Sequence, residues 1–130
     1  KAMAEADLIF MSKEDASLLY GEETDKVIEK IYSFAKPKII VVKMGGEGCL
    51  ILDDGEKINV PGFKVNVVDT TGAGDAFDGA FIVGLLEGKD LEEIGIFANA
   101  VGALTTTGLG AVAPIPRRRD VEDFLRSFNM

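Results

Sequence analysis

Seven consecutive residues, Asp69-Thr70-Thr71-Gly72-Ala73-Gly74-Asp75, set two carboxylates and two hydroxyls around a pair of glycines. Glycine lets the backbone turn tightly, so that main-chain N–H groups can face outward. Val67-Val68 before the run reads as the end of an apolar strand, and the residues from Ala76 onward read as a helix. The first amides of a helix have no intrahelical acceptor and sit at the positive end of its dipole, so an anion is favoured there. A carboxylate at the mouth of such a hole repels phosphate unless it has another task. For Asp75 that task is to take the proton of an attacking hydroxyl while a phosphoryl group moves. The plainer reading is a glycine turn with a capping aspartate, which accounts for one Asp but not for the whole order of strand, Gly-Ala-Gly-Asp and helix.

This run, with the small-residue helix after it, closely resembles the second signature of the ribokinase-like (PfkB) carbohydrate kinases, Asp-Thr-x-Gly-Ala-Gly-Asp. The resemblance implies that Asp75 is the catalytic base and that the amides of Gly72, Ala73 and Gly74 form the anion hole. It implies supporting roles for Thr70 towards the nucleotide phosphates and for Asp69 and Thr71 towards a cation. Ala6-Asp7-Leu8-Ile9-Phe10 resembles the family's strand before an Asn-x-x-Glu motif, and Val41-Val42-Lys43-Met44-Gly45 resembles its nucleotide-side strand. Where the family has Asn-x-x-Glu, this chain has Ser12 and Asp15. Asp15 is thereby implied to help organise magnesium through water, although Ser-x-x-Asp is also an ordinary helix-start box.

The likeness further implies ATP and Mg2+ as cofactors and a sugar or sugar-like hydroxymethyl compound as substrate. It covers only the C-terminal, nucleotide-binding half of such an enzyme, so residues 1–130 are expected to lack the half that carries the sugar site and lid. Family dimers usually form through that lid, so the resemblance leaves a homodimer of the full-length protein open without deciding the oligomeric state. The segment Thr105 to Ala111 matches the family loop whose carbonyls hold a monovalent cation, which leaves K+ as an optional third cofactor; Pro114 departs from the pattern there. Asn99 matches a position near the adenine ring. The turn Gly45-Gly46-Glu47-Gly48 matches one where backbone approaches the nucleotide, through Gly45 and Gly48, though it serves equally as a hairpin turn. Lys43 ends a core strand on the same side and can reach phosphate or simply extend to water. Arg117-Arg118-Arg119 reads as a solvated surface run.

The elements that must position these groups alternate. A strand near Asp7 to Met11 is followed by helices near Lys13 to Tyr20 and Thr24 to Ala35, then by a strand from Lys38 to Met44, in βαβ order. Ile39-Ile40-Val41-Val42 is a β-branched run of the kind buried on both faces of a parallel sheet. Cys49 to Leu52 and Lys57 to Val60, separated by Asp53-Asp54-Gly55, form an antiparallel excursion. The helix after Asp75 ends at Glu87-Gly88. Asp90 to Glu93 starts the next, which runs to about Thr106 with Ile94, Phe97, Ala98 and Val101 inward. A last amphipathic helix carries Val121, Phe124, Leu125 and Phe128. The fold expected is α/β, a three-layer ribokinase-like arrangement with a mostly parallel sheet, here reduced to the nucleotide-binding portion of one domain.

Composition limits the alternatives. A net charge of −8, from 22 acidic and 14 basic residues, argues against a nucleic-acid partner. The absence of histidine removes Ser-His and Cys-His mechanisms. Cys49 is the only cysteine and reads as a reduced core thiol. The longest apolar stretches are too short or interrupted to span a bilayer, and a cytoplasmic location is expected. Gly108-Leu109-Gly110-Ala111-Val112-Ala113 formally fits a dinucleotide motif, but it follows a helical pattern and runs into Pro114-Ile115-Pro116, which excludes a dehydrogenase. There is no P-loop motif. The remaining rival to a kinase is a non-catalytic nucleotide-binding module of the same fold.

Overall fold

The computed structural model describes residues 8–13, 38–54, 56–107 and 118–128. The chain divides into two compact units, Lys1–Asn59 and Val60–Met130.

In the first unit, β1 (Leu8–Ser12), β2 (Ile39–Lys43), β3 (Gly48–Asp53) and β4 (Glu56–Pro61) form a sheet in that order, the last strand ending just past the unit's boundary. β1 and β2 are parallel, in a register that runs from Leu8 opposite Ile39 to Ser12 opposite Lys43. A parallel pair requires a crossover. The expected crossover helices, and Asp15 with them, lie outside the described residues. The β-branched run behaves as anticipated: Ile40, Val41 and Val42 are all at 0% exposure. Ile40 and Val42 join Ile9 and Leu52 in one core cluster. Val41, a residue out of phase, points to the opposite face and is equally buried, as are Cys49 and Ile51.

β3 returns antiparallel to β2, pairing Lys43 with Cys49 and Ile39 with Asp53. The described sheet is therefore mixed, its β1–β2 pair parallel and its β2–β3 pair antiparallel, as a parallel sheet with an antiparallel excursion requires. The reversal is made by a single 3-10 turn at Gly45–Glu47. Gly45 (φ 57°) and Gly48 (φ 107°) hold positive φ values, and the Met44 amide donates to the Gly48 carbonyl at 2.9 Å. Side chains rarely adopt those angles, so hairpin geometry alone requires glycine at both positions.

The second unit holds α1 (Ala73–Leu86), α2 (Leu91–Thr106) and α3 (Arg118–Ser127). α1 stops where Gly88 turns left-handed at φ 74°. Asp90 then caps α2, its side chain accepting from the Glu93 amide at 2.9 Å. Close packing of α1 on α2 depends on Gly84, since a Cβ there would meet Ile94 Cγ1 at 2.9 Å. A second core joins Phe63, Ala76, Ala100, Val101, Leu104 and Val121. Phe63 meets Phe124 and Phe128 edge-on, with ring centroids 5.2 and 4.9 Å apart. Among the described residues no helix is long and apolar enough to cross a membrane.

One local expectation fails. Val67 and Val68 are not in a strand, and they are 59% and 73% exposed. The amides of Val68 and Asp69 donate instead to a single acceptor, the Thr106 carbonyl at the end of α2, at 2.7 and 3.0 Å. A β-branched pair becomes a strand only where a neighbouring ladder receives it. Here the end of a helix receives it.

Candidate functional site

The residues from Asp69 to Asp75 form one continuous feature, a loop that feeds directly into α1. Its first part is a turn closed by the Asp69 side chain, whose Oδ1 accepts from the Thr71 amide at 2.9 Å. That backbone donor, followed by a side-chain bond from Thr71, lowers the Asp69 pKa below its ordinary value, with desolvation a smaller opposing effect. The carboxylate thus stays ionised and fixed in direction while remaining at the surface.

Gly72 is the N-cap of α1, in the left-handed region at φ 78°, and it supplies no side-chain cap. Serine or aspartate at that position would accept a bond from a first-turn amide. Glycine leaves those donors to whatever occupies the mouth. The Ala73 amide is used by the turn itself, donating to the Thr70 carbonyl at 3.2 Å. Of the three amides expected to form an anion hole, that of Ala73 is therefore taken up within the turn. Asp75 is exposed in this first turn, and Gly72 and Gly74 are exposed with it. A carboxylate at this point is favoured by the helix dipole and reachable by a solvent-borne hydroxyl.

The arrangement can bind an anion at the amides and accept a proton at the carboxylate. For a hard cation, the oxygen atoms of Asp69 and Thr71 are of the right chemical type and at the surface, so they fit magnesium held through water. Asp15, the third residue assigned to metal, lies outside the described residues.

Lys43, Gly45 and Gly48 make a second group, in the first unit. Lys43 is opposite Ser12 at the carboxyl ends of two parallel strands, where α/β sheets bind ligands. Its ammonium sits 5.9 Å from the centre of the Phe10 ring. Asn99, assigned to the adenine side, is 7% exposed on α2, and its amide nitrogen donates to the carbonyls of Val60 and Pro61. In the loop assigned to a monovalent cation, the Thr106 carbonyl already accepts from Val68 and Asp69, and residues 108–111 lie outside the described part. That carbonyl is the feature sequence reasoning missed. It pins the site loop to α2, and a backbone acceptor carries no signature in residue type.

Comparison with known proteins gives this geometry a context. The model of the pfkB family of carbohydrate kinases matches residues 1–118. Probable fructokinase-5 of Arabidopsis thaliana is 38% identical over 135 aligned residues, covering 95% of this chain and 40% of that protein. Ribokinase of Bacillus subtilis is 36% identical over 114 residues, covering 88% of this chain and 38% of that one. Among solved structures, a ribokinase from Thermotoga maritima superposes with a TM-score of 0.82 at 41% identity, over 92% of this chain and 42% of the other. A putative ribokinase II from E. coli, in complex with ATP and Mg2+, gives 0.85 at 30% identity, over 97% of this chain and 41% of the other. The fold is that of ribokinase, and the chain spans about two-fifths of the relatives it matches.

Proposed function

The chain belongs to the pfkB family of carbohydrate kinases, and from that premise we propose that it supplies the nucleotide side of an ATP-dependent kinase acting on a sugar hydroxymethyl group. The observation that carries this reading is the placement of Asp75, exposed in the first turn of a helix capped by a left-handed glycine that offers no side-chain bond. Asp75 accepts the proton of the attacking hydroxyl. The Gly72 to Gly74 turn faces the charge that develops on the transferred phosphoryl group, where preorganised donors lower the barrier most. Asp69, held in direction by Thr71, and the Thr71 hydroxyl are the groups that would hold hydrated magnesium, which supplies charge neutralisation when bound. Thr70, Lys43 and the turn at Gly45 and Gly48 are assigned to the nucleotide phosphates.

The class of substrate follows the relatives. A fructokinase from Vibrio cholerae is known with fructose and ADP, and an Arabidopsis thaliana ribokinase with ribose and ATP. A ketose or pentose is accordingly the acceptor to test first. In a full-length kinase containing this chain, Asp75→Asn keeps nucleotide affinity and lowers kcat by roughly 10^2 to 10^4-fold, the usual worth of a positioned base. Calorimetry with ADP and magnesium, beside coupled assays with fructose and ribose, checks both halves of that statement. Equal loss of affinity and rate would make Asp75 structural.

A further inference from the structure

We propose that Asn99 is a positioning residue, one that sets the Asp69–Asp75 loop on α2 by clamping the chain where it leaves β4. Its amide nitrogen donates to the Val60 carbonyl at 3.3 Å and to the Pro61 carbonyl at 3.2 Å. Seven residues later on the same helix, roughly 10 Å along its axis, the Thr106 carbonyl accepts from Val68 at 2.7 Å and Asp69 at 3.0 Å. Between the two attachments Phe63 is buried in the cluster that holds Ala100, Val101 and Leu104 of α2. The connector from Pro61 to Asp69 is therefore fastened to α2 at both ends and in its middle, with no strand ladder to hold it.

Asparagine is a poor choice for the middle of a buried helix, because its side chain competes for backbone bonds and its amide must be desolvated. Two carbonyls outside the helix justify it here. They belong to the residues from which the connector starts, so the amide fixes the point from which the chain is measured out towards Gly72 and Asp75. A displacement of the loop by a fraction of an ångström is enough to misplace a reacting group. The clamp stands on these contacts, and only its effect on rate rests on the kinase reading.

Hydrogen exchange on this chain tests it. Asn99→Leu keeps the side chain's size and removes both donors, whereas Ile94→Val trims α2 away from the clamp and lowers stability generally. In Asn99→Leu the Val68 and Asp69 amides exchange roughly tenfold faster relative to helical amides such as Phe81, the equivalent of one or two hydrogen bonds. In Ile94→Val all of these shift together. The same pattern in both variants overturns the proposal.

Should Asn99→Leu fail to fold, the unmodified chain decides the matter. The Asn99 side-chain amide protons and the Val68 and Asp69 amides must then show one common dependence on denaturant, and separate dependences overturn the clamp. In the full-length kinase, Asn99→Leu lowers kcat and leaves KM for ATP unchanged; a raised KM with intact kcat would make Asn99 a nucleotide contact instead. If the unmodified enzyme phosphorylates no sugar, the kinase reading fails while the exchange measurements still stand.

Discussion

At the scale of single residues, Asp69 links local conformation to charge. Its carboxylate accepts from the Thr71 amide, and Thr71's donors favour the ionised form, so its pKa lies lower in the folded chain than in an unfolded one. The sign follows directly. The turn's contribution is fully present above the unfolded value and is lost as pH falls through the lower, folded value. An NMR titration is expected to give Asp69 a midpoint below that of an aspartate in an unstructured peptide, with the Thr71 amide proton moving at the same pH. Thr71→Val keeps the backbone donor and removes the hydroxyl, so it should return the midpoint part of the way. An ordinary midpoint in the unmodified chain would mean that the turn is open in solution. Asp75 follows in the same loop, and the role proposed for it, accepting a proton, suits a carboxylate that is not locked in a turn.

At the scale of elements, two glycines of α1 are expected to behave oppositely. Gly79 is exposed, and a Cβ there would meet nothing within 4 Å, so Gly79→Ala gains helix propensity of about 1 kcal/mol or slightly less. Gly84 is buried, and its Cβ would lie 2.9 and 3.1 Å from the two γ carbons of Ile94, a stiff β-branched side chain. Overpacking there costs about 1–3 kcal/mol and outweighs the same propensity gain. Thermal or urea denaturation of the two variants should therefore move in opposite directions. Stabilisation by both would show that α1 and α2 are less closely packed than described. In the double variant Gly84→Ala/Ile94→Ala the two losses should not add, because alanine lacks both γ carbons that crowd the new methyl.

At the scale of the whole molecule, α1 is apolar nearly all round, and helices of that kind are normally covered on every face. Phe77, Phe81 and Gly84 are buried, whereas Ile82 and Val83 are each 44% exposed and Leu86 is 84% exposed. Ile82 and Val83 lie four and three residues before Leu86, which places the three on one side of the helix. An uncovered apolar stripe drives association in water. Light scattering is expected to show concentration-dependent self-association of this chain, reduced by Leu86→Glu with no change in its far-ultraviolet circular dichroism. A monomer at all concentrations would show that the stripe is tolerated.

The sequence by itself determined whatever depends on near neighbours or on simple period. Asp90 announced its cap, Gly88 its helix stop and Ile40 to Val42 their burial on both faces, because capping, positive φ and β-branching act within a few residues. The run from Asp69 to Asp75 was legible for the same reason: two glycines and two aspartates at fixed spacing restrict both backbone and chemistry. Only the tertiary structure decided that Val67 and Val68 form an exposed loop and that the Asn99 amide turns to Val60 and Pro61. Each of these is a choice of hydrogen-bond partner, made between backbone groups or by one side chain facing two carbonyls. Every residue carries the same carbonyl, so residue types cannot encode which one is met; packing chooses the partner when distant segments come together.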